Sequence, residues 1–121
     1  MSLPNLDQLM RTVVADHGGV GELRAHRAYD RSTAVAGVAF IDLVVVPPGS
    51  SIGLHRHGDD QETYVLLRGE ATMHRGGEEF RVRAGDVVVN PPHTVHGLLN
   101  DSPADVHLLV YEIAPVAGGT S

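Results

Sequence analysis

The sequence predicts an all-β domain, a sandwich or barrel, and three observations carry that prediction. Short runs rich in Val, Ile, Leu and Thr recur along most of the chain. Gly, Pro, Asn and Asp punctuate them at roughly 8–12-residue spacing. The intervals between runs are too short for the helices that join parallel strands, which excludes βαβ crossovers. The runs lie at Val38 to Val46, Ser51 to His57, Glu62 to Leu67, Glu70 to Arg75, Glu78 to Arg83, Val87 to Asn90, Val95 to Leu99 and Val106 to Ile113. Arg75-Gly76-Gly77-Glu78 has the composition of a tight hairpin turn, and so has Leu67-Arg68-Gly69-Glu70.

Ahead of these runs the period changes. Leu6, Leu9, Met10, Val13 and Val14 recur at helical spacing, Asn5 can cap the first turn, and Gln8 stands three residues on as in a capping box. One amphipathic helix is expected over Leu6 to Asp16, stopped by Gly18-Gly19, with its apolar stripe on the domain or on a partner subunit. The chain then divides into an N-terminal helical segment over 1–19, a β-barrel over 20–115 and a flexible small-residue tail over 116–121.

At 121 residues the chain suffices for one domain with a single core. Hydrophobic residues at 42% and charged residues at 20% are the balance of a soluble globular protein. With three Tyr, two Phe and no Trp, the core must come from Val, Leu, Ile and Ala. The absence of cysteine excludes disulfides, thiolate catalysis and Cys-type zinc sites, and suits a reducing cytosol. Nine Arg against fifteen acidic residues give a net charge of −6, and the Arg are dispersed, so no nucleic-acid partner is expected. The longest apolar runs, Leu43 to Val46 and Leu108 to Val110, are far too short to cross a bilayer, and no basic-then-apolar leader opens the chain. A cytoplasmic protein with no membrane partner is expected.

Four residues carry the chemistry. The first segment reads Gly49-x5-His55-x-His57-x4-Glu62-x6-Gly69, and the second Gly85-x5-Pro91-x-His93-x2-His96-x3-Asn100. A strand repeats every two residues, so His55 and His57 share a face. Imidazole nitrogens with one carboxylate make an N/O ligand set suited to Zn, Fe, Ni, Cu or Mn rather than Ca.

Both segments resemble the two signature motifs of the cupin superfamily. The first agrees at Gly49, His55, His57, Glu62 and Gly69; the second agrees at Gly85, Pro91, His96 and Asn100 and departs at His93, where the pattern has Gly. The resemblance implies a double-stranded β-helix, or jelly-roll, barrel. It also implies that His55, His57, Glu62 and His96 converge inside as ligands of one divalent transition metal (Fe, Zn, Mn, Ni or Cu), with positions left for water, dioxygen or substrate. Its implied function is a metal-dependent enzyme on a small organic substrate, an enolisable carbonyl or a diol, of dioxygenase or isomerase/cyclase type. A non-catalytic binding or sensor module and a storage protein are the alternatives. Cupins of this size are often dimers, and both faces around Val65-Leu66-Leu67 and Leu108-Leu109-Val110 are apolar, so a homodimer is expected.

Three further residues are candidates for proton movement or substrate contact. Tyr64 shares parity with Glu62, and either faces the pocket or closes the core. Asp42, a carboxylate inside Phe40-Ile41-Asp42-Leu43-Val44, either serves the pocket or forms an outward ion pair with an Arg. His93 follows Pro91-Pro92 where the motif's Gly implies a positive φ, and is either a turn residue at the rim or an acid–base group. Gln61 reads as a turn residue, Arg56 as pointing away from the metal, and His17, His26, His74 and His107 as ordinary surface or helix-end residues. Val44, Val46, Leu66 and Leu98 share parity with Asp42 or a ligand, whereas in the ligand-bearing strands only Arg68, in a turn, does so. The expected pocket wall is apolar and poorly suited to a carboxylate-rich substrate.

Overall fold

The computed structural model describes residues 3–32 and 37–115, and within them ten strands build two sheets. A single turn of helix, α1 (Leu6–Leu9), precedes β1 (Arg11–Val14), a 3-10 turn (Asp16–Gly18), β2 (Glu22–Tyr29), β3 (Val38–Val46), β4 (Ser51–Arg56), β5 (Gln61–Arg68), β6 (Glu70–Arg75), β7 (Glu78–Arg83), β8 (Val87–Asn90), β9 (Val95–Leu99) and β10 (Val106–Ile113). The larger sheet runs β1-β2-β3-β10-β5-β8 and the smaller β4-β9-β6-β7. All pairings are antiparallel, and β3 beside β10 with β4 beside β9 is the wrapping of a double-stranded β-helix.

Alternation along the strands builds the core. In β10, Val106, Leu108, Val110 and Glu112 are buried while the residues between them are partly exposed. Val46, Leu66, Met73, Leu98, Val106 and Leu108, each at most 1% exposed, fill the space between the sheets. Burial of each such side chain contributes about 1.5–3 kcal/mol. Asn100 of the second motif stabilises this frame and takes no part in the site. Its amide donates to the Val46 and Ala104 carbonyls, and its oxygen accepts from Ser102, closing the turn between β9 and β10.

The N-terminal expectation is corrected. The helix expected over Leu6 to Asp16, and with it the reading of 1–19 as a helical segment, shrinks to Leu6–Leu9. Met10 is already extended, and β1 pairs with β2 from Arg11↔Ala25 to Val14↔Glu22. Thr12, Val13 and Val14 are β-branched, and a sheet edge supplies backbone partners that a short exposed helix lacks. The spacing that suggested a helical stripe instead places Val13 against the core while Val14 stays exposed. The strand β2 has no counterpart in the sequence reading. Only Leu23 and Ala25 mark its inward face, and the next inward residue is Arg27. The tail over 116–121 lies outside the described residues.

Candidate metal centre

His55 on β4 and His96 on β9 stand directly opposite each other in the smaller sheet. His57 lies just past the end of β4, and Glu62 near the start of β5 in the other sheet. Their ligand atoms all lie within 4.8 Å of one another. Glu62 Oε1 is 2.8 Å from His96 Nε2 and 3.7 Å from His55 Nε2, and Glu62 Oε2 is 3.1 Å from His57 Nε2. All four expected ligands therefore come together.

The far nitrogens fix the rings. His55 Nδ1–H donates to the Gly53 carbonyl at 2.8 Å, His57 Nδ1 lies 2.7 Å from Glu112 Oε1, and His96 Nδ1 lies 3.4 Å from the Thr94 carbonyl. The Gly53 carbonyl only accepts, so His55 Nδ1 carries the proton and, in the neutral ring, Nε2 keeps its lone pair for the centre. Among the described residues, the buried Nε2 atoms of His55 and His57 have no hydrogen-bond partner. Buried, unsatisfied nitrogens aimed at a carboxylate are costly without a cation, and the set fits a transition metal.

Burial alone would raise the Glu62 carboxyl, but the imidazoles of His55, His96 and His57 gathered around it hold it at about 2, and Glu62 in turn raises His55 against the lowering effect of its burial. Burial lowers His57 toward the neutral, ligating form. Glu112, paired in register with Glu62, is pushed up to about 7 by burial and then by Glu62's charge. Sequence reading missed Glu112, whose only signal is an acid at a buried parity of β10. Asn90, opposite Glu62 on the other flank, is 1% exposed, and its amide has no partner among the described residues.

A cavity of about 470 Å³ opens beside the cluster, lined in part by His55, His57, Glu62, Tyr64, Asp42, Val44 and Val110. Tyr64 is 1% exposed and its ring meets His96 edge-on at 5.5 Å. Burial, then the charge of Glu62, keeps its phenol protonated well beyond the ordinary range. Asp42 lines the cavity, and the ion pair expected to point outward is made inside it instead, with Arg27, whose Nε and Nη2 donate at 2.8 and 3.1 Å. Arg27 therefore corrects the expectation of a pocket wall free of Arg. Val44 walls the cavity as expected, whereas Val46, Leu66 and Leu98 belong to the core and are not among its lining residues.

His93 has the positive φ its position implies, +64°, but is exposed and does not line the cavity. Its Nε2 lies 2.9 Å from Asp59 and its backbone N–H donates to Gly58, tying the Pro91–Thr94 turn to the loop that precedes Glu62. His17, read from sequence as an ordinary helix-end residue, stacks on ligand His55 at 3.7 Å with rings 8° from parallel. The 3-10 turn that carries it lies on β4 at Gly53, where any Cβ would collide with the His17 carbonyl. Asp16 and His17 both line the cavity, and nothing in their sequence distinguishes them from a helix end.

Comparison with known proteins agrees with this geometry. The Cupin domain family matches residues 42–112. An oxalate-binding protein of Thermotoga maritima is 30% identical over 92 residues, 76% of each chain. The crystal structure of a predicted oxalate decarboxylase from the same organism superposes with a TM-score of 0.88 at 25% identity, covering 94% of this chain and 100% of that one. Quercetin 2,3-dioxygenase of Bacillus subtilis is 38% identical over 56 residues, 46% of this chain but 17% of the dioxygenase. With its two motifs, its double-stranded β-helix and its His/Glu cluster, the chain belongs to the cupin family.

Proposed function

We propose that this cupin is a metal-dependent enzyme acting on a small organic molecule with two adjacent oxygens, an enolisable carbonyl or a diol, in dioxygenase or isomerase/cyclase chemistry. The observation that carries this reading is the convergence of His55, His57, Glu62 and His96 within 4.8 Å at the wall of a 470 Å³ cavity. A divalent transition metal bound there supplies Lewis-acid polarisation of a substrate oxygen and, if Fe, Ni or Cu, dioxygen chemistry. The remaining roles fall to the chain. Tyr64 keeps its proton, so it donates a hydrogen bond to a substrate oxygen rather than serving as a base. Asp42, held by Arg27, is an acceptor further along the cavity. His93 positions the loop before Glu62 through Asp59.

The reading is tested by offering metal-loaded protein a panel of enolisable carbonyls and diols. Oxygen uptake is followed in air, and isomerisation by NMR under nitrogen. Turnover that disappears in His57→Ala is expected. Saturable binding with no turnover of any compound would overturn it in favour of a non-catalytic binding or sensor module. That second reading is favoured by the name of the 30% identical relative, an oxalate-binding protein. As a further part of the proposal, the protein works in the cytoplasm as a homodimer, with exposed Leu54, Leu67 and Val87 as candidate contacts; sedimentation at monomer mass contradicts the dimer.

A further inference from the structure

One register row crosses the larger sheet from Tyr64 on β5 to Val110 on β10, Asp42 on β3 and Arg27 on β2. Opposed residues on paired strands face the same side, and all four line the cavity. Neighbouring strands lie about 4.8 Å apart, so Asp42 stands about 10 Å from Tyr64 along this floor.

The floor changes character along its length. Tyr64 packs against ligand His96 at 5.5 Å. Val110 stands between the two ends in register, and Leu23, Val44 and Ile52 give the cavity further aliphatic lining. At the far end the Arg27 guanidinium binds both oxygens of Asp42 and lies 4.3 Å above the Phe40 ring. Each charge there is already answered by the other, so a substrate carboxylate or ammonium would displace a pairing rather than gain one. A hydroxyl can still donate to a carboxylate lone pair of Asp42, and an amide oxygen can still accept from a remaining N–H of Arg27.

Resting on the metal-dependent function proposed above, we propose that the cavity selects substrates with an apolar body about as long as two fused rings. Their chelating oxygens lie at one end and a neutral hydrogen-bonding group, a hydroxyl or amide, at the other. A bare diacid such as oxalate reaches neither the aliphatic wall nor the Arg27–Asp42 pair.

Hydroxamates chelate metals through two oxygens and so separate the three parts. Zinc-loaded full-length protein is titrated calorimetrically with acetohydroxamate, with a naphthalene hydroxamate, and with the same naphthalene bearing a hydroxyl on its distal ring. The naphthalene compound is expected to bind at least about tenfold tighter than acetohydroxamate, from apolar burial alone. The distal hydroxyl adds a further gain of about fivefold. Asp42→Val abolishes that second gain and leaves acetohydroxamate unaffected; Asp42→Asn, of the same shape, reduces it and serves if Asp42→Val does not fold. Val110→Ala weakens the naphthalene compound alone. Equal affinity for acetohydroxamate and the naphthalene compound, or a hydroxyl gain that is absent in the wild type or survives both Asp42 variants, overturns this inference while leaving the metal-dependent function standing. If zinc is not retained, the titrations are run with Fe, Mn, Ni or Cu instead; failure to retain any of the five, read separately by elemental analysis, overturns both.

Discussion

The two ends of the cavity treat their polar groups in opposite ways. At one end, three imidazoles turn Nε2 toward a carboxylate, His55 held by its Nδ1–H on the Gly53 carbonyl, and two of those Nε2 atoms are buried and unsatisfied among the described residues. At the other, Arg27 and Asp42 satisfy each other through a two-pronged hydrogen bond, with Arg27 stacked on Phe40. An unsatisfied buried cluster is unstable unless a cation completes it, whereas a satisfied pair is stable on its own and can only be added to. Binding energy is therefore held in reserve unequally: the cluster gains strongly from an ion, and the pair gains modestly from a neutral group.

Variants can break this contrast, and the largest effect is expected at the ligands. His57→Ala and His96→Ala remove a nitrogen from the centre, and metal affinity should fall by more than about a hundredfold, beyond what loss of an orienting partner costs. Chelator added to loaded wild type should also lower its melting temperature. Binding to the native state alone is worth about 2.7 kcal/mol at a hundredfold excess over Kd. Equal melting of chelated and loaded protein would contradict this. Next comes Glu112→Ala, which frees His57 Nδ1 and should weaken metal binding by about 10–100-fold with the fold intact; competition with a coloured chelator measures it.

Gly53→Ala sharpens the contrast from outside. Its Cβ would displace the turn carrying His17 from β4, costing about 1–3 kcal/mol of stability in denaturant unfolding. It should also release the ring stacked on His55, which a change in the His55 NMR signals would report. The smallest effect belongs to Arg27→Gln. The Arg27 side chain is 53% exposed, so its pair with Asp42 should contribute less than about 1 kcal/mol to stability, and metal content should not change.

The centre was legible in the sequence because it is built from a short, fixed pattern. His55 and His57 share strand parity, and the motifs supply Glu62 and His96 at set spacings. The strands of the two motifs were legible for the same reason: β-branched runs end at Gly, Pro and Asn. What escaped was the wall contributed by β1, β2 and the turn between them. Strand β2 alternates an inward Arg27 with aliphatics, so its period is hidden from any reading that expects apolar residues inside. His17 and Glu112 escaped because their positions depend on long-range packing, of the turn against Gly53 and of β10 against β5, and single residues carry no mark of that. Asp42 was seen as anomalous, but its partner lies on the strand that was not seen.

The metal centre is tested most directly by the metal content of protein purified without chelator or added metal, read by elemental mass spectrometry beside His57→Ala, His96→Ala and Arg27→Gln. One transition-metal ion per chain is expected in the wild type and in Arg27→Gln, and its loss in both histidine variants. A wild type that holds no metal, even after reconstitution with Fe, Zn, Mn, Ni and Cu in turn, would contradict it.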